Sequence, residues 1–557
     1  MPRMTGSRAF AEMMKGYGID HIFFVPAIMS KALAEMEDMP IRRVMVHGEK
    51  SAAYMADGYA RASGRVSLCM AQHIGASNLA AGLRDACMAG SPVLAITGGP
   101  STETRYRHTY QEIEDFSQFA CVTKFSANVP TVARIPDMVR QAFREASTGA
   151  PGPVHLQFAV RGGHMAEEEG DLDPFVEPEY ARVPAFRPEP EMDRVRAVAA
   201  ELAKAKRPVI VAGGGVIRSG AERELVELAE KLQIPVATAL NAKAAIADRH
   251  PLAVGVPGSY SRYCANNVIK EADLVFFIGS HAGGQVTHGR NFPPQGTRVV
   301  QLDISPSELG RIYHNAASIL GDAKVALRRL IDVMQPRSDE AAKQWVARAQ
   351  QLVKEWRTDE EKNRSSDAVP IRPERICKAI TDVLPKDGVI VSDTGHAGIW
   401  TGTMIELNHP RQRYFRCAGS LGWGFPGALG VKCALPDRPV LCFTGDGGFY
   451  YHIAELETAR RWGINLVVLV NNNNSLNQEI TLNKVAYNNQ PRGRWTDMWT
   501  FTDNNFAKIA EAFGVTGIRV EHPGELADAL KSAFAMEKPV VLDVVSDKNV
   551  LAKRVPH

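Results

Sequence analysis

Residues 440–475 constrain the fold more tightly than any other stretch of the chain. Val440-Leu441-Cys442-Phe443 reads as a short buried strand, ended by the turn Gly445-Asp446-Gly447-Gly448. A helix is expected over roughly Ile453–Trp462, and Asn465–Val470 reads as a second buried strand. Two apolar strands joined through a helix make a βαβ unit, and so a parallel sheet. Asp446 follows the first strand, and Asn473 follows the second inside Asn471-Asn472-Asn473-Asn474-Ser475. Both therefore fall at the carboxyl edge, where open α/β sheets bind ligands. A carboxylate, an amide oxygen and a backbone carbonyl form a hard oxygen site suited to Mg²⁺ carrying a diphosphate. Glycine amides and a helix start receive the phosphate oxygens.

The same alternation of helices and apolar strands runs through most of the chain. It includes His21–Val25, Pro92–Ile96, Pro208–Gly215, Leu274–Gly279 and Arg298–Asp303. The expected class is α/β, with three doubly wound parallel-sheet domains over 1–165, 190–335 and 371–557. An acidic, proline-containing linker is expected over 166–190, and a charged helical linker over 335–370. The first and third domains share a strand–helix rhythm, as a duplicated sheet would. The balanced net charge of +3 argues against nucleic acid or an acidic membrane surface as partner. No apolar stretch approaches the ~20 residues that span a bilayer. The eight cysteines are scattered, mostly in apolar runs, and the first residues show no signal-peptide core. Both features lead to the expectation of a cytoplasmic protein with buried, reduced thiols.

A second motif runs from His47 to Gly64, His47-Gly48-Glu49-Lys50-Ser51-Ala52-Ala53 through Gly58-Tyr59-Ala60-Arg61 to Gly64, after the strand Val44–Val46. Glu49 then sits at a strand-to-helix junction, where an acid is also favoured by the helix dipole alone. Together, the Asp446/Asn473 pair and this motif resemble the thiamine diphosphate-dependent enzymes over essentially the whole chain. That resemblance implies a pyrimidine-binding first domain, a Rossmann-like middle domain and a diphosphate-binding third domain. It implies Mg²⁺ ligation by Asp446, Asn473 and the Ser475 carbonyl, with Gly445, Gly447, Gly448, Asn78 and Asn477 also at the cofactor. Asn477 stands where the family often has Gly, and a left-handed Asn preserves such a turn. Glu49 would promote the imino tautomer of the cofactor pyrimidine, the Gly419 carbonyl would accept from its amino group, and Leu421 would wedge the rings into a V. His396, within Asp393-Thr394-Gly395-His396, is a candidate for the diphosphate. The family builds this site between two subunits, so a homodimer or homotetramer is implied.

Within the family, the nearest pattern is that of acetolactate synthase, oxalyl-CoA decarboxylase and 2-hydroxyacyl-CoA lyase. Tyr110-Gln111-Glu112 resembles their Phe-Gln-Glu, which makes Gln111 a substrate contact. The run Arg-Phe-Asp-Asp-Arg that engages FAD in acetolactate synthases is replaced by His281-Ala282-Gly283-Gly284-Gln285, so FAD is not expected. The middle domain could instead hold ADP through Gly214, Gly215, Asp303 and Asp322, or leave its crevice empty. Gln72-His73-Ile74-Gly75 replaces the usual Ser-Gly-Pro-Gly, which points His73 toward the reacting carbon as a proton donor or acceptor. Glu479 adds a carboxylate that suits removal of a hydroxyl proton. These departures favour cleavage of a 2-hydroxyacyl-CoA to formyl-CoA plus an aldehyde or ketone, or the reverse. The basic tail carrying Lys548, Lys553 and Arg554 would meet CoA phosphates. The alternative is an acetolactate synthase-like 2-oxoacid carboligase or decarboxylase.

Overall fold

The computed structural model describes residues 2–26, 28–101, 103–113, 117–159 and 161–553, the side chains of 161–163 excepted. The chain forms two compact units. One comprises Met1–Phe186, Cys417–Asp437 and His452–Leu466, and the other Arg187–Arg416, Arg438–Tyr451 and Val467–His557.

The first unit holds a six-stranded parallel sheet. Its strands run Arg42–Met45, His21–Phe24, Ser67–Ala71, Val93–Gly98, Val154–Phe158 and Phe125–Val129 across the sheet. The helix Glu49–Ser63 ends at Gly64, which takes a left-handed conformation that terminates it. Its small residues let the backbone of Gly424–Ala434 approach closely. A Cβ at Gly58 would overlap the Gly427 carbonyl, and one at Gly430 would overlap that of Met55. Residues 166–190 are less linker-like than their composition suggests, because Glu169–Asp171 pairs antiparallel with Arg3–Thr5.

The second unit holds two more six-stranded parallel sheets. In the middle one the order is Ala253–Gly255, Val236–Thr238, Pro208–Ala212, Leu274–Ile278, Arg298–Asp303 and Asn315–Leu320. The last sheet runs Arg413–Arg416, Val389–Ser392, Val440–Gly445, Val467–Asn472, Val540–Val545 and Thr516–Val520. In chain order, the first and last sheets both read 2-1-3-4-6-5, while the middle one reads 3-2-1-4-5-6. The charged stretch expected as a linker is the 25-residue helix Glu340–Arg364, capped by the Asp339 carboxylate on Ala342 N. It buries Trp345, Ala349, Leu352 and Trp356 along one stripe, and the Trp345 indole N–H donates to the Pro208 carbonyl at 2.8 Å. Among the described residues no helix is long and apolar enough to cross a membrane. Six of the eight cysteines are buried, as their apolar surroundings predicted.

The buried His155 and the half-buried His452 make the first unit acid-sensitive. His155 lies between Thr97 Oγ1 at 2.8 Å and Ser126 Oγ at 2.9 Å, and stacks on Phe119. Burial pushes its pKa down to about 3. His452, bonded to Ser51 Oγ at 2.8 Å, is pushed down to about 4 by burial and then by Lys50. Both are neutral when folded and titrate near 6.5 when unfolded. The unfolded chain therefore binds more protons below that pH, and stability falls as pH drops from about 6.5 toward 4. The loss is at most about 1.4 kcal/mol per pH unit for each ring. Urea titrations at pH 7.5 and 5.5 should show this loss, and His452→Gln should make it shallower by one proton's share.

Candidate functional site

The last sheet brings the expected cofactor residues together. Its strands pair Ser392 with Phe443 and Gly445 with Asn471, so the loops after three neighbouring strands emerge side by side. Asp446 is not in a turn but opens the short helix Asp446–Tyr450, and its strand runs on through Thr444 and Gly445. Its carboxylate is 2% exposed. Oδ1 accepts from Gly447 N at 2.7 Å, and Oδ2 from Asn473 N at 3.2 Å and Ser475 N at 3.0 Å. Burial nevertheless pushes its pKa up to about 6, against the pull of these amides. Asn473 Oδ1 accepts from Ser475 Oγ at 2.8 Å. Gly448 lies against Asp393, where a Cβ would come within 2.9 Å of the carboxylate, while Gly445 faces open space.

Gly395 adopts φ 65°, ψ −144°, a region essentially restricted to glycine, and starts the helix His396–Met404. The His396 ring Nδ1 lies 2.8 Å from Asn477 Oδ1. The left-handed residue in the metal loop is Asn474, at φ 55°, and not Asn477 as its sequence position suggested; Asn477 begins the 3₁₀ turn Asn477–Glu479. The Asn477 side chain instead anchors the tail. Its Nδ2 donates to the carbonyls of Lys548 and Val550, which draws that segment alongside the loop. Lys553 pairs with the buried Glu360 carboxylate, and Arg554 lies outside the described residues. Glu479 is half-buried at the start of the helix Ile480–Ala486.

In the first unit Glu49 begins its helix half-buried, and its Oε2 accepts from Asn78 Nδ2 at 3.1 Å. Gly75 packs against this carboxylate so closely that a Cβ would overlap it. His73 is 8% exposed, and burial lowers its pKa against a weaker upward pull from Glu112. Gln72 Nε2 donates to Gln111 Oε1 at 2.6 Å, and Gln111 has a left-handed backbone at φ 65°. The Glu112 carboxylate gathers this loop by accepting from Tyr106 N and from Thr109 N and Oγ1. Gly419 is exposed and Leu421 half-buried, on a loop whose amides at Ala418, Gly419 and Ser420 all meet Asp85. Sequence reasoning missed Asp85; its one signal was a charge on the apolar helix carrying Leu79, Leu83 and Ala86.

The middle sheet treats its candidate nucleotide residues unevenly. The Gly215 amide is spent on the Gly279 carbonyl at 3.0 Å, and a Cβ at Gly213 or Gly215 would collide with that strand end. Asp322 caps the helix Ala323–Val333 and is held by Arg187 and Ser219. Gly214 and Asp303 stand at the carboxyl edge. Asp303 Oδ1 accepts from Ser305 N at 2.9 Å, and burial raises its pKa.

Comparison with known proteins agrees with this geometry. Residues 4–119 match the N-terminal TPP-binding domain of thiamine pyrophosphate enzymes, 195–330 their central domain, and 393–544 their C-terminal TPP-binding domain. A Methanocaldococcus jannaschii protein named "Probable acetolactate synthase large subunit" is 32% identical over 567 residues, covering 99% of this chain and 94% of that one. The chain belongs to the thiamine pyrophosphate enzymes. A Methanococcus aeolicus protein of the same description is 31% identical over 577 residues, with 99% and 94% covered. The acetolactate synthase large subunit of Lactococcus lactis is 29% identical over 550 residues, with 98% and 93% covered. The family expectation is met. These relatives favour the synthase-like alternative over the 2-hydroxyacyl-CoA lyase reading. The residues fit the family's cofactor: Asp446 is a buried carboxylate beside the Asn473 and Ser475 amides, and Gly445 faces open space.

Gly395→Ala should cost about 1–3 kcal/mol of unfolding free energy, because alanine is strained at that backbone conformation. Gly524, where a Cβ meets nothing within 4 Å, is the control. Gly524→Ala should stay within about 0.5 kcal/mol in the same urea titrations.

Proposed function

We propose that the protein is a thiamine diphosphate- and Mg²⁺-dependent enzyme that decarboxylates a 2-oxoacid and joins the acyl unit to a second carbonyl compound, as acetolactate synthase does. The observation that carries this reading is the end-to-end match to acetolactate synthase large subunits over 98–99% of the chain. When bound, the cofactor supplies a carbon nucleophile for the substrate carbonyl. Asp446, Asn473 and the Ser475 carbonyl hold the metal, while Gly445, Gly447, Gly448 and His396 receive the diphosphate. Glu49 holds a proton at the pyrimidine end, next to Asn78, and Gly419 and Leu421 set the ring geometry. The protein works as a homo-oligomer, with Glu49 supplied from the neighbouring subunit.

Gln111 and His73 face the substrate. With its Oε1 taken by Gln72, Gln111 has its amide N–H groups left to donate, which suits a carboxylate or carbonyl oxygen of a 2-oxoacid. Burial favours the neutral form of His73, which can give an N–H hydrogen bond to a substrate oxygen or accept a proton from it. No FAD is needed, since residues 281–285 lack the two arginines and two acids of the flavin-binding run. A second reading, 2-hydroxyacyl-CoA cleavage, is favoured by one observation: Asn477 draws the tail alongside the metal loop, near Glu479.

Protein loaded with thiamine diphosphate and Mg²⁺ should release CO₂ from pyruvate and form acetolactate, without CoA or added FAD. Formyl-CoA produced from 2-hydroxyacyl-CoAs, with no turnover of a 2-oxoacid panel, would replace this reading with the second. Glu49→Gln should lower kcat about 10²–10⁴-fold while cofactor binding persists. Asp446→Asn should weaken Mg²⁺-dependent cofactor binding about tenfold or more by calorimetry.

A further inference from the structure

We propose that Asp85, backed by Arg61 and Asp57, is a positioning residue that sets the backbone carrying Gly419 and Leu421, and through it the pyrimidine end of the cofactor. The proposal rests on the reading that this loop meets the cofactor. Asp85 lies on the helix Ala76–Ala89 with no solvent exposure. Its Oδ1 accepts from Ala418 N at 2.6 Å, and its Oδ2 from Gly419 N at 3.2 Å and Ser420 N at 3.0 Å. Three successive amides thus turn onto one carboxylate, a concave arrangement of dipoles that binds an anion.

The carboxylate is itself held from behind. Arg61 Nη2 donates to Asp85 Oδ1 at 3.0 Å, and Arg61 is clamped in turn by Asp57 through both Nε and Nη2. Asp57 is fully buried and also accepts from the Trp423 indole N–H at 2.9 Å, while the Arg61 guanidinium lies 4.7 Å over the Trp423 ring. One buried Asp–Arg–Asp network therefore pins the loop at 418–420 and again at 423. Between these points stand the exposed Gly419, with open space where a side chain would be, and the half-buried Leu421. Two carboxylates buried against one guanidinium need further donors, which the loop amides and the Trp423 indole N–H supply. Here the amide side of the balance comes from the segment that bears the cofactor contacts.

The test compares cofactor affinity with stability. Asn at position 85 keeps the shape but offers one acceptor oxygen and sets an NH₂ against the loop amides. Asp85→Asn is expected to raise the Kd for thiamine diphosphate, with Mg²⁺ present, by about tenfold or more, the scale of one charge-assisted hydrogen bond. Leu83→Ala removes a fully buried side chain from the same helix, outside the network. It should lower the melting temperature of the cofactor-free protein at least as far, yet leave the Kd within about twofold. Equal loss of affinity in both variants would make Asp85 merely structural and overturn the proposal. If Asp85→Asn does not fold, Asp85→Glu keeps the charge and displaces the carboxylate. That variant should fold and bind the cofactor at least about fivefold more weakly, and wild-type affinity in it would overturn the proposal. Wild-type protein that takes up no cofactor would overturn the reading of the loop on which the proposal rests; tight binding by wild type and Asp85→Asn alike overturns the proposal alone.

Discussion

A carboxylate shut away from water at the end of a parallel strand is the constraint around which the last sheet is organised. Asp446 is reached by amides from its own helix and from the loop of the adjoining strand, because pairing of Gly445 with Asn471 sets those loops side by side. Three amides are not enough compensation: burial still raises its pKa to about 6. The Mg²⁺ proposed for this site would supply the missing compensation, as a hard cation among oxygen donors. Among the described residues no group of three or more His, Cys, Asp or Glu could hold a metal.

Much of this frame is legible in the sequence, for a physical reason. Strands of parallel sheets covered on both faces are near-continuous apolar runs, so Arg298–Asp303 can be read to the residue and the run Leu274–Gly279 to within one of the strand's end at Ile278. The shared 2-1-3-4-6-5 order of the first and last sheets bears out the rhythm seen in the strand spacing. Misplaced ends have a common cause. The strand expected to stop at Val470 continues through Asn471 and Asn472, because ladder bonds require no apolar side chain and Asn472 finds its own partners in Asp543 and the Asn504 carbonyl.

Features that depend on distant partners are hidden. Nothing in Gly58 announces that it is small because the Gly427 backbone is there, nearly 370 residues away. The Asp85 carboxylate is unremarkable in sequence, since its donors are backbone amides whose direction no side chain encodes. The glycines after Ala212 resemble a phosphate cradle, yet Gly213 and Gly215 serve close packing against the strand end at Gly279, and the Gly215 amide is already used. The left-handed turn expected at Asn477 belongs to Asn474, because both amides tolerate that conformation and only the chain path after the strand chooses between them.

What separates one thiamine pyrophosphate enzyme reaction from another rests on few side chains, so whole-chain similarity and local departures must be weighed at those residues. The loop carrying Gln111 is held in an unfavourable left-handed conformation, and Glu112 spends its carboxylate on three donors of the same loop. Such a conformation persists only when its surroundings over-determine it. Here the surroundings include Gln72, whose amide N–H donates to the Gln111 side-chain oxygen. Gln72, His73 and Gln111 thus bring hydrogen-bonding groups to this loop with no carboxylate among them, while burial disfavours the cation of His73.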